Sequence, residues 1–213
     1  MKPRVILING PPSSGKDTVG RMIEEKLGGG LSRISKFARQ VKERTHAFYE
    51  LVDLRTGKPE RHNAYDVRKD DPLPEFWGLS PRQAYIEMSE RYTKAVHGKG
   101  IWGILLLHDL RTFDALHKTV WLPWEENKQC RSTHIITDCG FLEEVEPLVG
   151  WYGAENLVLL RLFREGKTFE KDSRGYLDVD MLTEQKIRYF DISVIEGLQE
   201  LRKQVAGFLE ALG

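Results

Sequence analysis

The chain has 213 residues, enough for one domain with a full core and some insertion. Its 32 Lys and Arg balance 32 Asp and Glu, so a non-specific electrostatic grip on nucleic acid is not expected. The two cysteines, Cys130 and Cys139, lack metal-ligand spacing, the six histidines form no zinc pattern, and no secretory segment or bilayer-length apolar run occurs; a reduced, cytoplasmic setting without a membrane is expected.

Val5-Ile6-Leu7-Ile8 predicts a buried parallel strand ending at Asn9. Gly10-Pro11-Pro12-Ser13-Ser14-Gly15-Lys16-Asp17-Thr18 follows, with the spacing G-x-x-x-x-G-K of a phosphate-binding loop. The two glycines let the backbone curl so that its N–H groups face one anion. Lys16 supplies a flexible cation, and the next helix adds its N-terminal partial charge. A nucleoside triphosphate gripped by Gly10, Ser13, Ser14, Gly15, Lys16, Asp17 and Thr18 is the expected ligand. The usual hydroxyl residue after the lysine is replaced by Asp17 and comes one place later, as Thr18. Asp17 must therefore point away from the phosphates or touch a metal shell.

Val19, Met22, Ile23 and Leu27 make a helical stripe, ended by Gly28-Gly29-Gly30. Leu31 to Ser35 predicts a short strand. Phe37 to Arg44 predicts a helix with Phe37, Val41 and Phe48 on one side. Residues 53–79 are polar and proline-bearing, which reads as a long irregular insertion. Ser80-Pro81-Arg82-Gln83 predicts a helix start, with Ser80 as N-cap, Pro81 at the first turn and Gln83 closing a capping box. Tyr85, Met88, Tyr92 and Val96 continue that helix to Gly98 and Gly100, and Ile101 to Leu116 is a more apolar one. The run from Trp102 to Leu107 is either core or a homodimer surface. Val120 to Trp124 is aromatic and has no clear assignment.

His134 to Asp138 predicts a second core strand with an acid at its carboxyl end, followed by a helix over 143–151. Leu157 to Leu160 predicts a third core strand. Arg164 to Gly175 is charged and reads as a lid loop. Phe190, Ile192 and Val194 alternate as a half-buried strand, and Leu198 to Leu212 is an amphipathic closing helix. The expected fold is α/β, three layers with a mostly parallel five-stranded sheet and helices on both faces. The core covers 1–50 and 130–213, a helical acceptor-binding insertion covers about 51–129, and the lid covers about 163–175. Ligands of such sheets collect at the carboxyl ends of the strands, where Gly10, Asp138 and the loop after Leu160 meet.

With these segments in place, the chain resembles the viral deoxynucleoside monophosphate kinases, a branch of the P-loop nucleoside monophosphate kinases. The resemblance rests on Gly10 to Thr18, Lys36 to Lys42, Ser80 to Gln83 and Ile135 to Glu144. It implies ATP as donor, magnesium, a deoxynucleoside monophosphate as acceptor and, for a bacteriophage protein, the host cytoplasm. The family carries an arginine where this chain has Gly140.

On the donor side Lys16 bridges the β- and γ-phosphates, and Thr18 and Asp138 face magnesium, Asp138 through water. Asp138 reads equally as the N-cap of the helix that follows it. On the acceptor side, Arg82 opposes its helix macrodipole unless an anion sits between them; a solvated surface arginine is the other reading. Arg39 and Lys42 lie one turn apart and reach one phosphate, or form a solvated basic face. Phe37 stacks on a base or is core, and Glu87 accepts from a base amino group. Arg164 and Arg174 are lid arginines that stabilise the transferring phosphoryl, or belong to a charged surface loop. Glu196-Gly197 holds the place where such kinases keep adenine. Two other functions fit the same residues: a kinase of another small phosphorylated metabolite, and a nucleotide-dependent switch or binding protein.

Overall fold

The computed structural model describes residues 4–28, 32–53, 58–59, 62–121, 132–170, 172, 174–194 and 197–212. Its strands are β1 Val5–Asn9, β2 Ser32–Ser35, β3 Val52–Asp53, β4 Lys58–Pro59, β5 Thr133–Cys139, β6 Leu157–Phe163 and β7 Arg188–Ser193. Its helices are α1 Lys16–Leu27, α2 Phe37–Phe48, α3 Pro81–Ile86, α4 Lys94–His97, α5 Ile101–Trp121, α6 Leu142–Tyr152, α7 Val179–Glu184 and α8 Leu198–Ala211. Five strands form one sheet in the order β2-β5-β1-β6-β7, with every pairing parallel. This is the expected three-layer α/β architecture.

The period-two geometry of β1 explains the layers. Val5 and Leu7 face one core, shared with Phe37 of α2, Trp102, Leu106 and Leu110 of α5, and Val145 and Leu148 of α6. Ile6 and Ile8 face the other, shared with Val19 and Ile23 of α1 and Val205 and Phe208 of α8. A strand buried on both faces has to be apolar throughout, as Val5-Ile6-Leu7-Ile8 is. The strand order turns around β1, and this opens a crevice at its carboxyl end.

Within the run from Trp102 to Leu107, Trp102 and Leu106 are buried in the chain's own core, Leu105 and Leu107 pack against it, and Ile104 is exposed. Thus α5 belongs to the main body, although the sequence places it in the insertion. The insertion has a small core of its own, made by Leu51, Tyr65, Leu73, Phe76 and Ala84. Within residues 53–79, read as irregular, lie the β3–β4 hairpin and two short 3₁₀ helices, His62–Arg68 and Pro74–Phe76. Phe48 is exposed and not on the buried side of α2.

The Ser80 capping box forms as read: Gln83 N–H donates to Ser80 Oγ at 3.2 Å and Ser80 N–H to Gln83 Oε1 at 2.9 Å. Past α3 the helix does not keep its period. Residues Glu87–Thr93 wind as a π-helix, which turns Tyr92 and Val96 to solvent and Ser89 inward. Val120 and Trp121 close α5; residues 122–131, with Cys130 and Trp124, and residues 29–31 lie outside the described set.

At the amino ends of the strands, far from the crevice, Asp114 of α5 gathers four donors. Arg4, Ser132, His134 and Tyr152 all reach its carboxylate. Burial pushes its pKa up, but the hydrogen bonds from His134 and Ser132 outweigh this and bring it down to about 2. Among the described residues no helix is long and apolar enough to cross a membrane.

Candidate active site

The loop after β1 turns sharply into α1. Gly15 caps α1 at φ 102°, a left-handed conformation that side chains rarely adopt. Ser13 takes a positive φ as well, 61°, and Ser14 N–H donates back to Pro11 O at 3.2 Å. Ser14 Oγ is buried with no partner among the described residues. Lys16 folds over this loop and donates to the carbonyls of Gly10 and Pro11, each at 2.6 Å. Burial first, and the nearby Arg174 second, bring its pKa down to about 8. Thr18 is half-buried in the first turn of α1.

Asp17 points away from the loop. It pairs with Lys36 at 2.8 Å and accepts a 2.7 Å hydrogen bond from Thr137 of β5. Burial opposes ionisation here, but these two bonds and the Lys36 charge hold its pKa below the usual carboxylate value. The acid that departs from the common loop pattern thus ties α1 to β5 and to the start of α2.

Asp138 caps a helix, but not the one that follows it. Its two oxygens accept the N–H groups of Phe37 and Ala38, at 2.9 and 2.8 Å, and so close the first turn of α2. The residue before α6 is Phe141, which makes no side-chain cap. Asp138 is half-buried at the pocket wall, and burial raises its pKa against the two amide bonds.

The described residues of 164–178 reach back to the loop after β1 and to Asn9. Arg164 donates to Ser13 O at 3.2 Å, which ties it to the loop after β1. Asn9, at the end of β1, holds the far end of the segment: Nδ2 donates to Cys139 O and Gly175 O, and Oδ1 accepts from Leu177 N. Arg174 makes a bidentate pair with Asp172, at 2.8 and 2.6 Å. Its aliphatic stem lies directly on Gly140. A Cβ at 140 would stand 2.6 Å from Arg174 Cγ and Cδ and 2.7 Å from its Cβ. The space a side chain at 140 would occupy is filled by the stem of Arg174.

Beyond Arg174 opens a pocket of about 720 Å³ between α2, α3, the π-helix and α6. Its walls include Phe37, Lys42, Arg82, Asp138 and Arg174, five of the residues singled out in the sequence. Phe37 serves core and wall together, since it is also packed in the main core. Arg39 lies outside the wall, paired with Glu43 at 2.7 Å. Glu87 is outside it too, 3.7 Å from Arg91. Lys42 pairs with Asp66, and Arg82 with Asp70 at 2.6 Å. Glu196 lies outside the described residues; Gly197 precedes α8.

Among the charged wall residues given no role in the sequence are Lys69, Lys94, Glu144 and Asp172. Glu144 was visible only as part of Glu143-Glu144 in a helix's first turn, a pattern that the helix dipole explains unaided. Asn9 was visible as a polar residue ending an otherwise apolar strand.

No family model matches the chain, and no curated protein does. Among solved structures, an unliganded sugar kinase from Janibacter sp. HTCC2649 is similar over 99% of this chain and 98% of its own, at 12% identity and a TM-score of 0.43. A gluconokinase from Sinorhizobium meliloti 1021 is similar over 99% of this chain and 93% of its own, at 14% identity and a TM-score of 0.44.

Proposed function

We propose that the protein is a phosphotransferase that moves the γ-phosphoryl of ATP to a nucleoside 5′-monophosphate, the deoxy form first among them. The observation that carries this reading is the position of Arg174. It is close enough to Lys16 to depress that ammonium's pKa, and it also forms part of the pocket wall. One guanidinium thus faces both an anion-binding loop and a cavity carrying the cations Lys42, Lys69 and Arg82. Two anions held on either side of one arginine is the arrangement that phosphoryl transfer requires.

The chemistry follows from positioning. Lys16 leaves the Gly10 and Pro11 carbonyls for the β- and γ-phosphates of the donor. Arg82 and Lys42 exchange their carboxylates for the acceptor phosphate. Arg174 neutralises charge on the phosphoryl in flight, and the loop carrying it excludes water. The attacking oxygen belongs to a phosphate, so no strong general base is needed. Magnesium supplies charge neutralisation when bound. Asp138, whose two oxygens each keep a lone pair beyond the capping bond, would hold the ion through water, and Thr18 would offer it a hydroxyl. Among the described residues no group of three or more His, Cys, Asp or Glu could hold a metal.

A volume of about 720 Å³ suits a small-molecule ligand. The aromatic walls, Phe37, Tyr85, Trp102 and Phe141, favour a planar ring over a sugar or an aliphatic chain. The test is a panel of ribo- and deoxynucleoside monophosphates with ATP and magnesium, read as coupled ADP formation. ADP that appears only with a monophosphate supports the reading. Turnover independent of every monophosphate refutes it.

A further inference from the structure

The inner end of the pocket holds a polar group that the transfer chemistry does not use. Lys94 of α4 and Glu144 of α6 face each other at 3.7 Å, with side chains 9% and 6% exposed. Lys94 also reaches Glu90 at 3.1 Å and lies 4.2 Å over the Phe141 ring. The π-helix turns Ser89 inward, where it accepts from Trp102 Nε1 and donates to Glu90, each at 2.9 Å. Ser89, Glu90, Lys94, Trp102 and Glu144 all line the cavity. The Glu144 carboxyl makes no hydrogen bond among the described residues, and its distance to Lys94 is too long for one. A nearly enclosed carboxyl costs free energy unless it is satisfied. A π-helical turn that delivers polar side chains to a cavity commonly marks a functional site.

We infer that Lys94 and Glu144 are specificity-determining residues that read the ring edge of the acceptor, Glu144 accepting a ring or amino N–H and Lys94 donating to the carbonyl or ring nitrogen beside it. The inference rests on the proposed nucleoside monophosphate and names the chemistry its ring must carry: a donor N–H next to an acceptor. An ammonium can only donate and a carboxylate can only accept, so the side-by-side pair complements that edge. A ring without the N–H leaves Glu144 enclosed and unpaired, and is rejected for that reason.

The charged groups around Glu144 are Lys94 on α4, Glu90 on the π-helix, Asp138 on β5 and Arg174 on the lid. Burial dominates over them and pushes the carboxyl up to about 8. An N–H binds the ionised form more strongly than the acid. The acceptor KM of the wild-type protein therefore falls as the pH rises through about 8.

The experiment pairs natural monophosphates with analogues stripped of the edge N–H: dAMP and dGMP with the nebularine deoxynucleotide, dCMP and dTMP with the zebularine deoxynucleotide. ADP formation and calorimetric binding are measured for the wild type, Glu144→Gln, Glu144→Leu and Lys94→Met, with the KM for ATP as internal control. The expected result is a preference for the N–H ring of about 10- to 100-fold in at least one pair. Glu144→Leu abolishes it, Glu144→Gln retains part of it with a flat pH profile, and Lys94→Met reduces it, all at unchanged ATP KM. Turnover with equal use of the stripped analogue, or a preference that survives in Glu144→Leu, overturns this inference alone. Failure of every monophosphate to bind overturns it together with the proposed function. Should Glu144→Leu not fold, the flat pH profile of Glu144→Gln decides.

Discussion

Gly140 and Arg174 allow the catalytic assignment to be tested without touching a charge. In Gly140→Ala the new methyl would stand 2.6 Å from Arg174 Cγ and Cδ. Carbon atoms rest at about 3.5–4.0 Å, so the stem must retreat by roughly 1 Å. The backbone at 140 does not have a positive φ and accepts alanine without strain. The perturbation therefore falls on the guanidinium, which shifts relative to the Lys16 loop. A displacement of about 1 Å at a positioned group costs on the order of 10²-fold, or about 2.7 kcal/mol of transition-state stabilisation. Arg174→Ala removes the charge itself and should cost about 10³-fold or more in kcat.

The double variant decides. With no guanidinium to misplace, Gly140→Ala adds nothing further to the loss in kcat, and the cycle shows a coupling about equal to the whole single effect. Stability behaves differently. Arg174→Ala retains the Cβ that would stand 2.7 Å from the new methyl, so some overpacking cost, about 1 kcal/mol or more, persists in both backgrounds. The assay is steady-state ADP release with thermal unfolding in parallel. Multiplicative losses in kcat would show that Gly140 and Arg174 act independently and would refute the argument, as would an Arg174→Ala variant of normal rate.

Three more expectations concern single groups. Lys16→Ala abolishes turnover and leaves the unfolding midpoint near that of the wild type. Because the Lys16 pKa is brought down to about 8, the ammonium is lost as pH rises past that value, and an ATP analogue should bind more weakly there by calorimetry; in Arg174→Ala the alkaline limb moves to higher pH, and an unmoved limb would detach the two residues. Arg82→Ala raises the acceptor KM about 10-fold or more with little change in the ATP KM, since it exchanges only one exposed carboxylate partner; equal effects on both substrates would remove it from the acceptor side. The Asp114 carboxyl titrates near 2 when folded and near 3.8 when unfolded, so its contribution, about 2 kcal/mol, is present above 3.8 and lost as pH falls toward 2. Asp114→Asn should flatten that acid limb in a denaturant titration, and an unchanged limb would place the acid sensitivity elsewhere.

The features legible in the sequence are those set by neighbours along the chain. A run of four apolar residues ends at a glycine loop because strand and turn chemistry are local, and Ser80-Pro81-Arg82-Gln83 forms its box because all its donors lie within one turn. Asp138 was legible as a cap but not as the cap of α2, whose amides lie 100 and 101 residues earlier in the chain. Asp17 was legible as an acid that must turn away, yet its partner Thr137 lies 120 positions on. Tyr92 and Val96 were read as continuing one helix at a 3.6-residue period, which the π-helix breaks, and the same break brings Ser89 into the cavity. Lys94 and Glu144 meet only because α4 and α6 pack at the same end of α5, which no spacing encodes.

One property runs through five of the cations around the crevice: each is already engaged. Lys16 rests on two carbonyls, Lys36 on Asp17, Lys42 on Asp66, Arg82 on Asp70 and Arg174 on Asp172. An anion binding at any of these five therefore exchanges partners. The exchange is not equally costly everywhere. The exposed pairs of Lys36 and Arg82 are worth about 0–1 kcal/mol and yield easily. The Arg174 pair is bidentate and more enclosed, with side chains 28% and 15% exposed, and holds harder. On the proposed function, a ligand bound on both sides, with its ring among the aromatic walls and its phosphate near Arg82, would draw the guanidinium away from Asp172. On this argument the most strongly held cation is released last, when donor and acceptor are both in place, and water arriving alone meets an arginine still bound to its carboxylate.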